Sequence, residues 1–375
     1  MKKVLFFIES LAGGGAEKVL TDLVCNMNSA KYEVTVCTVS DNGIYQKTVA
    51  QHCKYQSFLS RKDYEAGGLK KVLYWVKTKL IYSINPRIIY KEFIKTDYDI
   101  EIAFVEGFAT KLIASSPNKK SKKIAWIHTD MNSNPYADRY YSGLNEHIAA
   151  YQKMDEVICV SQTVQDSYKE KFCLSNSKVI YNPIDENTIK EKSCELAEMD
   201  PNSSLQMVAI GRLVEQKGYD RLLSCLNEIK HYGDFSLWII GDGPQREMLE
   251  KYIQDNHLEK NIFILGFKKN PYKYLAAADI FICSSYAEGF STAATEALII
   301  GKPVFTVECS GMKELFAGYN CGELVPNTDY DLTKMLKELI QHKFSFENYK
   351  TDIKERASQF KLKRQIEIVE RILDE

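Results

Sequence analysis

No CxxC pair occurs among the ten cysteines, which are scattered from Cys25 to Cys321, and no histidine cluster lies beside them. That spacing fits neither a zinc site nor a disulfide framework; it suits reduced thiols filling small apolar gaps. No apolar stretch approaches the roughly 18–20 residues that a membrane-spanning helix needs. The start, MKKVLFFIESLAGGG, has the lysines and apolar run of a secretory signal, but Glu9 interrupts the run after five apolar residues. The expectation is therefore a cytoplasmic chain without transmembrane segments. A large excess of charge is also missing: the formal net charge is −1, and nucleic acid is not an expected partner. Low-complexity tracts and repeats shorter than a domain are absent as well.

What is present is an ordinary soluble composition, 45% hydrophobic and 26% charged, over 375 residues, more than one core usually spans. Short apolar runs alternate with longer helical patterns, the signal for parallel sheets covered by helices. In the first half the expected strands are 3–9, 32–39, 98–105, 122–128, 156–161 and 177–183; in the second, 205–211, 235–243, 261–267, 279–285 and 302–308. This predicts an α/β protein of two doubly wound domains, with residues 1–185 as the first, 186–204 as a polar linker, and 205–354 as the second. A helical C-terminal segment, about 355–375, is expected to pack back on the first domain. Residues 1–185 hold 25 Lys+Arg against 20 Asp+Glu, net +5, which makes the first half the one to meet an anionic surface. Two such domains would place the carboxyl ends of two sheets around one crevice, where open α/β sheets bind ligands.

Three stretches carry the chemistry. After the first strand, Gly13, Gly14 and Gly15 precede a helix, so the segment is either a plain turn or a loop whose free amides meet an anionic group. It lacks the GxGxxG spacing of a dinucleotide fingerprint. In AIGRLVEQKGYDRLL, Arg212 and Lys217 follow a strand; they are two solvated cations or a pair suited to a diphosphate, one a planar fork and the other a point charge. In YAEGFSTAATEAL, Glu288 stands before a helix that Ser291 or Thr292 can cap, and Glu296 lies about a turn and a half inside it. The sequence DYD at 97–99 imitates a metal-binding DxD but precedes its strand, at the wrong end for a site, so no metal ligands are expected.

These motifs, GGGAEK, VIYNPID, GRLVEQKG, IIGDGP, ILGF and EGFSTAATEA with its E-x7-E spacing, resemble in order and separation the retaining glycosyltransferases of family 4, also called glycosyl transferases group 1, over nearly the whole chain. The resemblance implies the GT-B fold, two Rossmann-like doubly wound domains facing a central crevice. It implies a hexosyltransferase that takes a sugar from a nucleotide sugar, UDP-linked as the commoner choice, without a metal or other cofactor. Arg212 and Lys217 then match the residues that bind the donor diphosphate. Glu296 matches the residue on the ribose, and Glu288 the one beside the reacting carbon, as nucleophile or stabiliser. Gly289, Phe290, Ser291 and Thr292 match the turn facing sugar and phosphates, Gly14 and Gly15 the loop from the first domain, and Gly266, Phe267 and Lys268 the place of the base. His128, in WIHTD, matches the first-domain histidine, with a core or surface role as the alternative.

Residues 61–95 hold nine Lys/Arg against three Asp/Glu, with Leu69, Val72, Leu73, Trp75, Val76, Leu80, Ile81 and Ile84 interleaved. They read either as a segment lying on an anionic membrane surface or as an ordinary amphipathic helix. The first reading makes the protein peripheral on the inner face of the membrane and the acceptor a saccharide carried on a polyprenyl lipid, in polysaccharide or glycoconjugate assembly. Competing functions are a nucleotide-sugar epimerase or phosphorylase of the same fold, and a silent subunit that binds a partner transferase.

Overall fold

The computed structural model describes residues 1–199, 205–341 and 346–375. The chain divides into two compact units, Met1–Pro183 with Leu362–Glu375, and Ile184–Lys361. In the first unit β1 (Lys2–Ile8), α1 (Gly15–Asn26), β2 (Tyr32–Ser40), α2 (Gln46–His52) and β3 (Lys54–Leu59) come first. Three helices follow, α3 (Arg61–Glu65), α4 (Gly68–Ser83) and α5 (Pro86–Phe93). The unit continues with β4 (Ile100–Ala103), α6 (Phe108–Ile113), β5 (Lys122–Ile127), a 3-10 turn (Tyr136–Tyr140), α7 (Leu144–Tyr151), β6 (Glu156–Cys159), α8 (Gln162–Phe172) and β7 (Ser177–Val179). The seven strands run in the order β3-β2-β1-β4-β5-β6-β7, all parallel. Its central strands read as apolar runs because both faces are covered: Leu5, Phe6, Ile102, Ile124 and Trp126 have no exposed surface.

The second unit opens with α9 (Glu186–Ser193) and β8 (Gln206–Ile210). Then come α10 (Tyr219–Ile229), β9 (Ser236–Ile240), α11 (Arg246–Asp255), β10 (Ile262–Gly266), α12 (Tyr272–Ala277), β11 (Ile280–Cys283) and α13 (Thr292–Ile300). It closes with β12 (Val304–Val307), α14 (Ser310–Phe316), β13 (Gly322–Val325), α15 (Asp329–Gln341) and α16 (Lys350–Ser358). Six parallel strands run β10-β9-β8-β11-β12-β13. In each sheet the winding reverses once, between β1 and β4 and between β8 and β11. The loops leaving the carboxyl ends of these strands diverge and leave room for a ligand.

The last helix, α17 (Leu362–Asp374), belongs to the first unit. It buries Ile366, Val369, Ile372 and Leu373 there, and its carboxyl end is fastened by Lys2, which donates to the Leu373 carbonyl at 2.7 Å, and Tyr32, which donates to Asp374 at 2.6 Å.

The stretch expected as a linker, 186–204, is different in its first half. Asp185 accepts hydrogen bonds from the amides of Asn187 and Thr188 and so starts α9, whose one buried residue, Ile189, packs with Ile184, Tyr272 and Ile299 of the second unit. The boundary is therefore at Pro183, and residues 200–204 of that expectation lie outside the described residues. The segment 355–375 is likewise two helices, the end of α16 in the second unit and α17 in the first.

Candidate active site

The loops after β8 and β11, the strands flanking the reversal of the second sheet, are stitched to each other. The Tyr286 amide donates to the Gln216 carbonyl at 2.9 Å, and the Gln216 side chain donates to the Ala287 carbonyl at 2.8 Å. The Ser284 hydroxyl bonds the carbonyls of Lys217 and Gly218 at 3.1 and 2.9 Å. Beneath them Arg221, only 5% exposed on α10, donates to the carbonyls of Ser284 and Ser285 and to the Asn327 side chain at 2.7–3.0 Å. A buried guanidinium is tolerated here because fixed carbonyl dipoles replace its water.

Gly218 makes this approach possible. Its φ of 61° lies in the left-handed region, and a Cβ there would stand 2.3 Å from the Ser284 carbonyl oxygen. Gly311 does the same from the other side: a Cβ on it would lie 2.1 Å from the Gly289 carbonyl oxygen, while its amide donates to the Glu288 carbonyl at 3.1 Å.

Held between these constraints, Lys217 and Glu288 meet. The ammonium is 2.6 Å from Glu288 Oε1, and the Ser285 hydroxyl donates to the same oxygen at 2.6 Å. Burial favours the neutral amine of Lys217, but the Glu288 carboxylate outweighs it and pushes the group above the usual lysine value. Glu288 is 8% exposed, and both residues line a small cavity with Tyr219, Cys283, Ser285 and Ser291. Ser291, not Thr292, caps α13, its hydroxyl accepting from the Ala294 amide at 3.3 Å. The amides of Thr292 and Ala293 begin the helix, a position that favours negative charge. Glu296 lies buried one turn on, with the Tyr272 hydroxyl donating to it at 3.1 Å.

The remaining expected residues are placed as follows. Arg212 shares the loop of Lys217 but is exposed and makes no side-chain hydrogen bond or ion pair among the described residues. Gly266 ends β10, Phe267 beyond it is half exposed, and Lys268 follows, two strands from β8. The Phe290 side chain turns inward onto Phe360, 5.4 Å between ring centres, so only the backbone of the Gly289–Phe290 turn can face a ligand.

Gly14, Gly15 and His128 belong to the first unit. Gly14 precedes α1, and Gly15 is its first residue, with no side chain capping the helix. His128 follows β5, with its backbone amide donating to Glu106 at 3.0 Å and its ring near Phe104 and Trp126. Burial lowers its pKa against the opposing carboxylate of Glu106, and Nε2 has no partner among the described residues. Glu106 itself, 1% exposed after β4, also accepts from the Thr129 hydroxyl. Sequence reasoning passed over Glu106, Ser285, Arg221 and Tyr272. Arg221 left a signal, an arginine on the apolar face of α10 in line with Cys225, where no solvated cation would sit.

The family described as glycosyl transferases group 1 matches residues 198–360, and that described as glycosyltransferase family 4 matches residues 13–188. This chain is a family 4, group 1 glycosyltransferase. The glycosyltransferase is 28% identical to the N-acetylgalactosamine-N,N'-diacetylbacillosaminyl-diphospho-undecaprenol 4-alpha-N-acetylgalactosaminyltransferase of Campylobacter jejuni, over 96% of each chain. It is 27% identical to the lipopolysaccharide core biosynthesis glycosyltransferase LpsD of Rhizobium meliloti, over 44% of this chain and 47% of that one. Among solved structures, Anabaena Alr3699/HepE in complex with UDP-glucose superimposes with a TM-score of 0.76 at 21% identity, covering 100% of both chains. The fold of this glycosyltransferase is GT-B.

Proposed function

We propose that this glycosyltransferase moves a sugar from a UDP-linked donor, with retention at the anomeric carbon, to a saccharide carried on a polyprenyl diphosphate. The observation that carries the reading is the Lys217–Glu288 pair at the start of α13. Transfer breaks the bond between the anomeric carbon and the phosphate oxygen, and the electron pair leaves on the diphosphate. The acceptor hydroxyl oxygen forms the new bond, and its proton passes to the leaving phosphate. Negative charge then grows on the diphosphate where Lys217, Arg212 and the first amides of α13 receive it, and positive charge grows on the ring where Glu288 faces it. Those cations serve without a metal. Because Glu288 Oε1 is engaged by Lys217 and Ser285, Oε2 is the oxygen left to the sugar. Glu296 holds the ribose.

The Campylobacter relative's name supports the lipid-linked acceptor, and the UDP-glucose bound by the Anabaena protein supports the donor class. The surface of α4 supports a membrane-borne substrate. Leu69 is 88% and Trp75 57% exposed, with Val72, Leu73, Val76 and Leu80 also facing out among Lys70, Lys71, Lys77 and Lys79. Such a helix lies on an anionic surface with its apolar residues in the interface. No helix among the described residues is long and apolar enough to cross a membrane.

The test is incorporation of labelled sugar from UDP-glucose, UDP-galactose and their N-acetylhexosamine counterparts into organic-extractable product on bacterial membranes. Label that depends on the protein and disappears with Glu288→Ala supports the reading. Incorporation by no donor, or undiminished incorporation by the variant, contradicts it.

A further inference from the structure

A cavity of about 260 Å³ opens in the first unit between the α4–α5 junction, α6, the end of the 3-10 turn and the first turn of α7. Nothing in the donor chemistry uses it. Three aromatic rings form part of its wall: Tyr82 and Phe108 have ring centres 4.6 Å apart, and Tyr140 lies 6.1 and 6.3 Å from them. The Tyr82 hydroxyl donates to Glu9 at 2.8 Å, which fixes this ring to the carboxyl end of β1.

The polar part of the wall is preset. Lys111 donates to the Tyr140 carbonyl at 2.6 Å and meets Glu146 at 2.8 Å, which leaves the third ammonium hydrogen for a ligand. Glu146, hydrogen-bonded by Lys111 and by the Ser142 amide at 2.6 Å, is held down to a pKa of about 2 and stays ionised. Asn85 accepts from the Arg87 amide through Oδ1, and its amide nitrogen makes no hydrogen bond among the described residues.

Charge and size choose the ligand class. The one cation of the wall is neutralised by the one carboxylate, so the cavity offers a phosphate no net attraction. Its volume lies below the roughly 300–1,000 Å³ of pockets that bury a drug-sized ligand, too little for a nucleotide with its diphosphate. A hexopyranose has an apolar CH face and a rim of hydroxyls, which match an aromatic wall set against an amide donor, an ammonium and a carboxylate.

The geometry points to this cavity as the seat of one neutral sugar ring of the acceptor, gripped by Tyr82, Tyr140, Asn85 and Lys111. The assignment rests on the transferase reading above, but on different residues in a different unit. Its test is saturation-transfer NMR of the full chain with the methyl glycosides of glucose, galactose, N-acetylglucosamine and N-acetylgalactosamine, beside Asn85→Ala and Tyr140→Ala. A UDP thermal shift is measured on each protein.

The expected result is saturation of at least one glycoside by the wild type, with binding about fivefold weaker or worse in both variants while their UDP shift is kept. Should Tyr140→Ala not fold, Asn85→Ala carries the comparison alone. No signal from any glycoside with the wild type, or equal signal from the folded variants, overturns the assignment and leaves the donor reading standing. Loss of the UDP shift in the wild type strikes the donor reading instead, whatever the glycosides do.

Discussion

At the scale of single residues, the site depends on contacts that no local spacing announces. Lys217 and Glu288 are 71 positions apart, and the Ser285 hydroxyl that shares the carboxylate lies in a run of small residues with no motif of its own. The cation and carboxylate could be read as candidates from their loops; their direct pairing could not, because it follows from the two loops leaving neighbouring strands. Lys217→Met leaves Glu288 nearly buried with only Ser285 as a donor. It is expected to lower kcat by about 10²–10³-fold, the scale of losing one preorganised charge stabiliser, and to lower the melting temperature as well, because the buried carboxylate loses its counter-ion. Steady-state kinetics beside a melting curve check it.

A second residue-scale expectation concerns acid. Burial lowers the pKa of His147 to about 4, against the opposing Asp138 carboxylate, and the ring lies 1% exposed and stacked on Tyr141. The folded state therefore resists a proton that the unfolded chain binds at about 6.5. Stability is present above that value and is lost as pH falls from about 6.5 toward 4, by at most about 3 kcal/mol from this group. Denaturation at pH 7 and pH 4.5 should show that slope, and His147→Phe should flatten it.

At the scale of elements, legibility followed burial. The central strands were readable as apolar runs because helices cover both their faces. β3, KYQSFL, and β13, GELV, were not readable: each is the last strand of its sheet and carries no such run. The 61–95 segment was recognisable as helical, but its division into α3, α4 and α5 turns on Gly67 and on Asn85 before Pro86. The role of α9 was hidden because one buried isoleucine in a charged stretch carries little periodicity. Two predictions belong here. Arg221→Ala removes three buried donors from under the β11 loop and should cost about 3 kcal/mol and most of the nucleotide affinity, read by denaturation and by UDP titration. If α4 rests on anionic lipid, Trp75→Ala with Leu73→Ala should abolish flotation with phosphatidylglycerol liposomes at low salt; no flotation of the wild type removes the membrane reading.

At the scale of the molecule, the fold was legible as two parallel α/β units because each repeats the same alternation; a C-terminal segment returning to the first domain was expected too, and what needed the structure was its start, since only α17, from Leu362, lies in the first unit while α16 stays in the second. Its five buried apolar side chains, Leu362 among them, are worth about 1.5–3 kcal/mol each, together on the scale of a whole domain's net stability. A chain ending at Lys361 should therefore lose the cooperative unfolding of the first unit in calorimetry.

In the proposed reaction the second unit holds a nucleoside diphosphate between Arg212, Lys217, Glu296 and the start of α13. The most direct measurement is a thermal-shift panel of UDP, GDP, ADP and CMP on the wild type, Arg212→Ala and Glu296→Ala, since a ligand bound by the native state alone raises the melting temperature. The expected result is a rise with UDP that both variants lose. A wild type that responds to none of the four, or variants that respond as the wild type does, would contradict it.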